Sequence, residues 1–277
     1  MELGILAKTF VRPTLPEVLD AVAAHGLRSV QFNLSSVGLP TLPEHLEAAV
    51  VAHVRTEMSR RGISIAAVSG TFNMIDPSLA ERQHGLRRLG VLASNCRALG
   101  ASIITLCTGT RDPNDMWRRH PDNDSKESWG DLVRSLRTAL EATEPFAVTL
   151  AFEPEVSNVI DSAIKARRLL DEIGSPRLKV VIDAANLFHA GELPRMSEIL
   201  DQAFELLGRD IVLAHAKDLS HDGDAGHEAA GTGRLDYPRY LRLLKRIGFT
   251  GSLIIHGLRE DQVGTTVAFL RNLLEPP

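Results

Sequence analysis

Short apolar runs alternate with longer amphipathic ones along the whole chain. The short runs fall at Leu3–Leu6, Ser29–Phe32, Ser64–Val68, Ser102–Cys107, Thr149–Phe152, Lys179–Ile182, Val212–His215 and Ser252–Ile255. Several are unbroken stretches rich in Val and Ile, the pattern of strands covered on both faces in a parallel sheet. Helix starts lie between them: Thr14 with Glu17, Thr41 with Glu44 and Ser78 with Glu81 have the spacing of capping boxes. Pro16 and Pro43 fall in first turns, where a missing N–H costs nothing. Gly26, Gly62, Gly100 and Gly248 close helical runs shortly before the next strand. Eight such units of about 31 residues predict an α/β fold, a (β/α)8 barrel forming one domain over residues 1–277. A doubly wound open sheet is the rival. It would carry a phosphate-binding glycine loop, and neither GxGxxG nor GxxxxGK[ST] occurs.

One connection breaks the rhythm. From Thr108 to Asp124 the chain shows no strand or helix pattern, yet it carries Trp117, Arg111, Arg118, Arg119 and His120, and Trp129 follows at the start of the next helix. Long loops in compact domains are usually functional or disordered, and disordered ones seldom hold aromatics. The segment reads as a lid over the barrel mouth, with an oligomer contact as its plain alternative.

Barrel chemistry sits at the C-terminal ends of the strands. The last four strands end in Glu153, Asp183, His215 and His256. A lone strand-end Asp is usually a turn former, and a lone His is usually structural. Four in succession from neighbouring strands are expected to converge on one mouth and form a divalent-metal site. Carboxylates suit Mg or Mn, and imidazoles shift the preference toward Mn, Fe, Co or Zn.

These strand ends also carry a resemblance. Glu153, the turn Asp183-Ala-Ala-Asn186, the motif His215-Ala-Lys217-Asp218, the loop from Gly231 through Gly233 to Asp236 and Tyr237, and the run from Gly248 through Gly251 to His256 are similar to the xylose isomerase-like TIM barrel superfamily. That superfamily is often labelled sugar phosphate isomerase/epimerase, and it includes endonuclease IV. The resemblance covers essentially the whole chain. It implies that Glu153, Asp183 and His215 are metal ligands for one ion. The family's usual fourth ligand is a glutamate, and His256 stands there instead. In ketose epimerases that glutamate is also an acid/base group, so its replacement departs from the two-glutamate mechanism. Asn186 is a second departure, because many relatives have a histidine there.

The expected chemistry is proton abstraction next to a carbonyl polarised by the ion, through an enediolate. Glu153 is the expected base, with His256 as a second acid/base group or the fourth ligand. Lys217, two residues past His215, is expected to hold a substrate oxygen, or else to pair with Glu155 or Asp218. Glu155, Asn186, His189, Arg111, Trp117, His120 and His227 are expected substrate contacts, Arg111 for an anionic group. His25, His45, His53 and His84 read as surface or structural residues on helical segments.

The expected function is a divalent-metal-dependent isomerase or epimerase of a sugar, sugar acid or sugar phosphate. A lyase or dehydratase on a keto-sugar or keto-inositol is the alternative. A non-catalytic sugar-binding barrel is disfavoured by the three ligands. A nuclease is disfavoured because the second and third strand ends, VQFNLSS and AVSGTFN, hold no histidine.

Composition narrows the setting. Of 277 residues, 44% are hydrophobic and 24% charged, enough for a sizeable core. A net charge of −4 argues against a general nucleic-acid binder. Cys96 and Cys107 read as core thiols of a reducing compartment. With no leader pattern and no apolar run of membrane length, a cytoplasmic protein is expected. The expected partner is a small carbohydrate, with no nucleic acid and no membrane. A homodimer or homotetramer is left open, with the Trp117 loop as a candidate contact.

Overall fold

In the computed structural model, which describes residues 1–274, each apolar run becomes a strand. In chain order the strands are β1 (Glu2–Leu6), β2 (Ser29–Phe32), β3 (Ser64–Ser69), β4 (Ile103–Cys107), β5 (Thr149–Glu153), β6 (Leu178–Asp183), β7 (Ile211–Ala216) and β8 (Ser252–Ile255). The helices that follow them are α1 (Leu15–Ala24), α2 (Ala48–Arg61), α3 (Leu79–Leu99), α4 (Lys126–Thr143), α5 (Ala163–Ile173), α6 (Met196–Leu207), α7 (Tyr237–Arg246) and α8 (Val263–Leu274). Neighbouring strands pair in parallel, and β8 pairs with β1 to close the barrel. No helix among the described residues is long and apolar enough to cross a membrane.

Period-two alternation decides what faces the barrel axis. Ala67, Ala151, Val181, Leu213 and Ile254 form one buried apolar cluster inside the barrel. Glu153, Asp183, His215 and His256 each lie two residues beyond a member of that layer, so they stand directly above it. Asp183 and His215 are also register partners across β6 and β7. The opposite strand faces belong to the larger core shared with the helices, which includes Phe32, Phe152, Ile182 and Tyr240.

Local signals held in part. Thr14 and Glu17 form the full reciprocal capping box, and Ser78 caps α3 by accepting from Glu81 N. The expected box at Thr41 does not form: α2 begins at Ala48, and Glu44 instead reaches His84 and Arg88 of α3. His45 therefore lies in a loop rather than on a helix. Both thiols are free and buried, and burial pushes Cys96 up to about 12, so it stays protonated.

The β4–α4 connection is not structureless. Asp112 accepts from the backbone of Asn114 and Asp115 and pairs with Arg118. Arg118 first, then those two backbone groups, hold the Asp112 carboxyl well below the ordinary carboxylate range. Asn123 Oδ1 accepts from Arg111 N at 2.8 Å and Thr110 Oγ1 at 3.1 Å. Arg119 pairs with Asp124 within the segment and ties it to Asp161.

Candidate metal and substrate site

A cavity of about 410 Å³ opens at the C-terminal mouth of the barrel. Its wall includes Glu153, Glu155, Asn186, His215, Lys217 and His256 on one side, and Trp117 with Met116 at the rim. The volume lies within the range of small-molecule pockets.

His215 is the centre of the charged side. Its Nε2 donates to Gln31 Oε1 at 2.9 Å, while Gln31 Nε2 donates to Ser69 Oγ at 2.9 Å and Thr105 Oγ1 at 3.2 Å. That network commits Nε2 as the protonated nitrogen and turns Nδ1 toward the carboxylates. Nδ1 is buried without a hydrogen bond among the described residues, with Glu153 Oε2 at 3.4 Å and Asp183 Oδ2 at 3.8 Å. Burial opposes a charged His215, but Glu153 and Asp183 outweigh it and raise the imidazole to about 9.

Asp183 is fully buried and meets two further partners. Lys217 Nζ lies 3.2 Å and His256 Nε2 3.1 Å from its Oδ2. Burial would raise the Asp183 pKa, yet Lys217, His215 and His256 together drive it well below the ordinary value. For His256, burial and the neighbouring His215 push the pKa down to about 4, so its ring is uncharged at neutral pH. The two rings meet edge to face with centroids 4.4 Å apart. Asn186 Nδ2 donates to Glu153 Oε1 at 2.5 Å, and Asn186 Oδ1 accepts from Gly226 N at 2.8 Å. Glu155 accepts from Ser157 N and Asn158 Nδ2, and burial plus Glu153 push it up to about 7.

This donor set fits a divalent cation. Asp183, His215 and His256 each place a ligand atom within 4.8 Å of the others, and Glu153 adjoins His215. Without an ion, Lys217 and a protonated His215 offset the Glu153 and Asp183 carboxylates, and a cation bound here would take the place of the His215 proton. The orphaned Nδ1, with its other nitrogen held by an amide carbonyl, is the arrangement of a metal-ligating histidine.

The glycines and tyrosines of the quoted motifs serve as a frame. Asp218 accepts from Leu219 N, Gly231 N and Leu235 N, which folds the loop before α7. Tyr237 and Tyr240 donate their hydroxyls to the carbonyls of Lys217 and His215, each at 2.9 Å. Gly257 has φ +72, and a Cβ there would sit 2.6 Å from Lys217 Cδ, so glycine lets the lysine stem pass behind His256.

Four expected contacts stand outside the cavity wall. Arg111 is turned inward, donating to Asp131, Ser128 and the Ile75 carbonyl, so its charge is already matched. His120 accepts from Asp122 N as a cap of the following turn, and His227 pairs with Ser220 beside a separate shallow groove. His189 Nε2 lies 3.9 Å from Asp161. Trp129 faces α5, donating to Glu172 and stacking under Arg168, and takes no part in the rim. Trp117, 56% exposed, does line the cavity. Trp117→Ala should raise KM roughly tenfold with an unchanged melting temperature, because the ring covers substrate rather than core. An unchanged KM removes it from the site. The reading of the strand ends missed Gln31, Asn33, Ser69, Thr71 and Thr105, which line the other side.

Known structures share this architecture. A D-tagatose 3-epimerase-like protein superposes with a TM-score of 0.77 at 14% identity, covering 99% of this chain and 97% of the other. The 3-keto-D-glucoside 4-epimerase of E. coli gives 0.77 at 16% identity, with 98% and 99% covered. The IOLI protein with a bound zinc atom gives 0.74 at 17%, with 99% and 96% covered. At these identities the likeness establishes the fold. The sequence itself matches the profile of the xylose isomerase-like TIM barrel over residues 19–273, and the chain belongs to that family.

Proposed function

We propose that the protein is a divalent-metal-dependent isomerase or epimerase of a small carbohydrate, acting by proton removal beside a carbonyl. The observation that carries this reading is the convergence of Glu153, Asp183 and His256 on the unpartnered Nδ1 of His215. The carbohydrate epimerases among proteins of the same fold support the substrate class.

Glu153, Asp183, His215 and His256 would hold the ion. A divalent ion there supplies Lewis acidity toward a substrate carbonyl. Glu153 is the base, facing the cavity with one oxygen positioned by Asn186. Despite burial, His215 keeps its carboxyl pKa below the ordinary value, so it is ionised and able to accept a proton. Lys217 reaches the cavity wall and holds the negative charge that develops on a substrate oxygen. His256, uncharged at neutral pH, is a proton acceptor where it is free of the ion.

The test is solvent deuterium exchange followed by NMR, with ketohexoses and 3-keto-glycosides and added Mn²⁺ or Zn²⁺. Exchange at the carbon beside the carbonyl, abolished by EDTA, is the expected result. Absence of exchange from every ketose by metal-loaded protein overturns the reading. A lyase that expels water after the same proton removal is the second reading, favoured by His256 in place of a carboxylate. The same spectra show it as loss of a hydroxyl-bearing carbon.

A further inference from the structure

The hydrogen bonds that hold His215 run across the barrel, away from the carboxylates. Its Nε2 meets Gln31 Oε1 at 2.9 Å. The Gln31 amide nitrogen is in turn spent on two hydroxyls, Ser69 Oγ at 2.9 Å and Thr105 Oγ1 at 3.2 Å. One residue from each of β2, β3, β4 and β7 thus shares a single network, and none of the four is more than 5% exposed.

The backbone is adjusted at both ends of this network. The register between β2 and β3 slips at Val30/Gln31, and that between β6 and β7 slips at Val180/Val181. Past the first slip Gln31 pairs with Ala67 rather than Ala66, which brings Ser69 one residue nearer to it, and Ser69 pairs directly with Thr105. Past the second, Asp183 pairs with His215. Irregularities of this kind beside active sites re-aim side chains. The amide has one workable orientation, because turning it over would set its NH2 against the N–H of His215.

We propose that Gln31 is a positioning residue for the metal centre: it keeps a proton on Nε2 of His215 and so aims an unprotonated Nδ1 at the ion, with Ser69 and Thr105 pinning its amide. The proposal rests on the metal reading above and is independent of the substrate. An imidazole ligates through the nitrogen that lacks a proton, so the partner of the other nitrogen decides which atom is the ligand. Glu153 and Asp183 both lie on the Nδ1 side of the ring. Without an acceptor at Nε2 they draw the proton of a neutral His215 to Nδ1, where it blocks the ion. Gln31 acts through His215 and lends the site no charge of its own.

The experiment titrates EDTA-stripped protein with ZnCl2 by calorimetry and records long-range proton–nitrogen NMR spectra of the zinc-loaded forms. It compares the wild type with Gln31→Met, Gln31→Glu and the double variant Ser69→Ala, Thr105→Val. Methionine keeps the length of glutamine and lacks the acceptor, whereas glutamate keeps the acceptor and takes hydroxyl protons from Ser69 and Thr105. Gln31→Met should bind Zn²⁺ roughly 10- to 100-fold more weakly and lose the exchange-protected Nε2 proton of His215. Gln31→Glu should return the affinity to within about fivefold of the wild type, a rescue that mere packing would not give. The double variant, which frees the amide to turn, should lose roughly three- to tenfold. Should Gln31→Met fail to fold, the double variant carries the test. Wild-type affinity in Gln31→Met, or in the double variant where that one does not fold, overturns the proposal. So do equal losses in the Met and Glu variants, or a zinc-loaded wild type protonated at Nδ1 of His215. Zinc binding that ignores Gln31 defeats this role alone, whereas a wild type that binds no zinc defeats the metal site and the role together.

Discussion

Asp183→Ala should melt well below the wild type and bind no Zn²⁺. Asp183 is completely buried, and its Oδ2 lies 3.2 Å from the buried ammonium of Lys217. Removing one partner of a buried ion pair strands the other, at a cost of about 3–5 kcal/mol. In a domain of this size that is a fall of roughly 10 °C. The same change removes a ligand lying between two imidazoles. Asp183→Asn separates the two effects: its amide oxygen still faces Lys217, so the melting loss is smaller, but the anionic ligand is gone and metal binding is lost with it. Calorimetric melting and Zn²⁺ titration of both variants check this. Wild-type metal affinity in Asp183→Asn contradicts the assigned site.

The second large effect falls on catalysis. Glu153→Gln should reduce deuterium exchange by about a thousandfold, the scale of a lost general base. The variant keeps an oxygen for Asn186 Nδ2, which bonds Glu153 Oε1 in the native chain, so the fold should survive. Ligand binding measured by calorimetry should persist. Exchange within tenfold of the wild type would move the base to Glu155 or His256, which also line the wall.

The barrel was legible because burial on both faces writes continuous Val- and Ile-rich runs, and eight of them at even spacing admit few architectures. Glu153, Asp183, His215 and His256 were legible because charged or imidazole side chains rarely end such runs. Gln31, Asn33, Ser69 and Thr105 were not, since short polar residues at strand ends look like turn formers. Following the two-residue alternation along β2, β3 and β4, and one step past β2 to Asn33, is the signal that would have found them. Arg111 was misplaced because its partner, Asp131, lies on the next helix, and only tertiary structure brings the two together. The Thr41 box failed for the same kind of reason: Glu44 finds α3 instead of its own backbone. The long β4–α4 segment was rightly placed near the mouth through Trp117, while its internal order comes from Asp112 and Asn123 bonding within the loop.

The most direct measurement is calorimetric titration of EDTA-stripped protein with MnCl2 and ZnCl2, beside His256→Ala. One saturable equivalent in the wild type, weakened on the order of 100-fold in the variant, is the predicted result. No saturable binding of either ion, at any concentration the folded protein tolerates, contradicts the account at its centre.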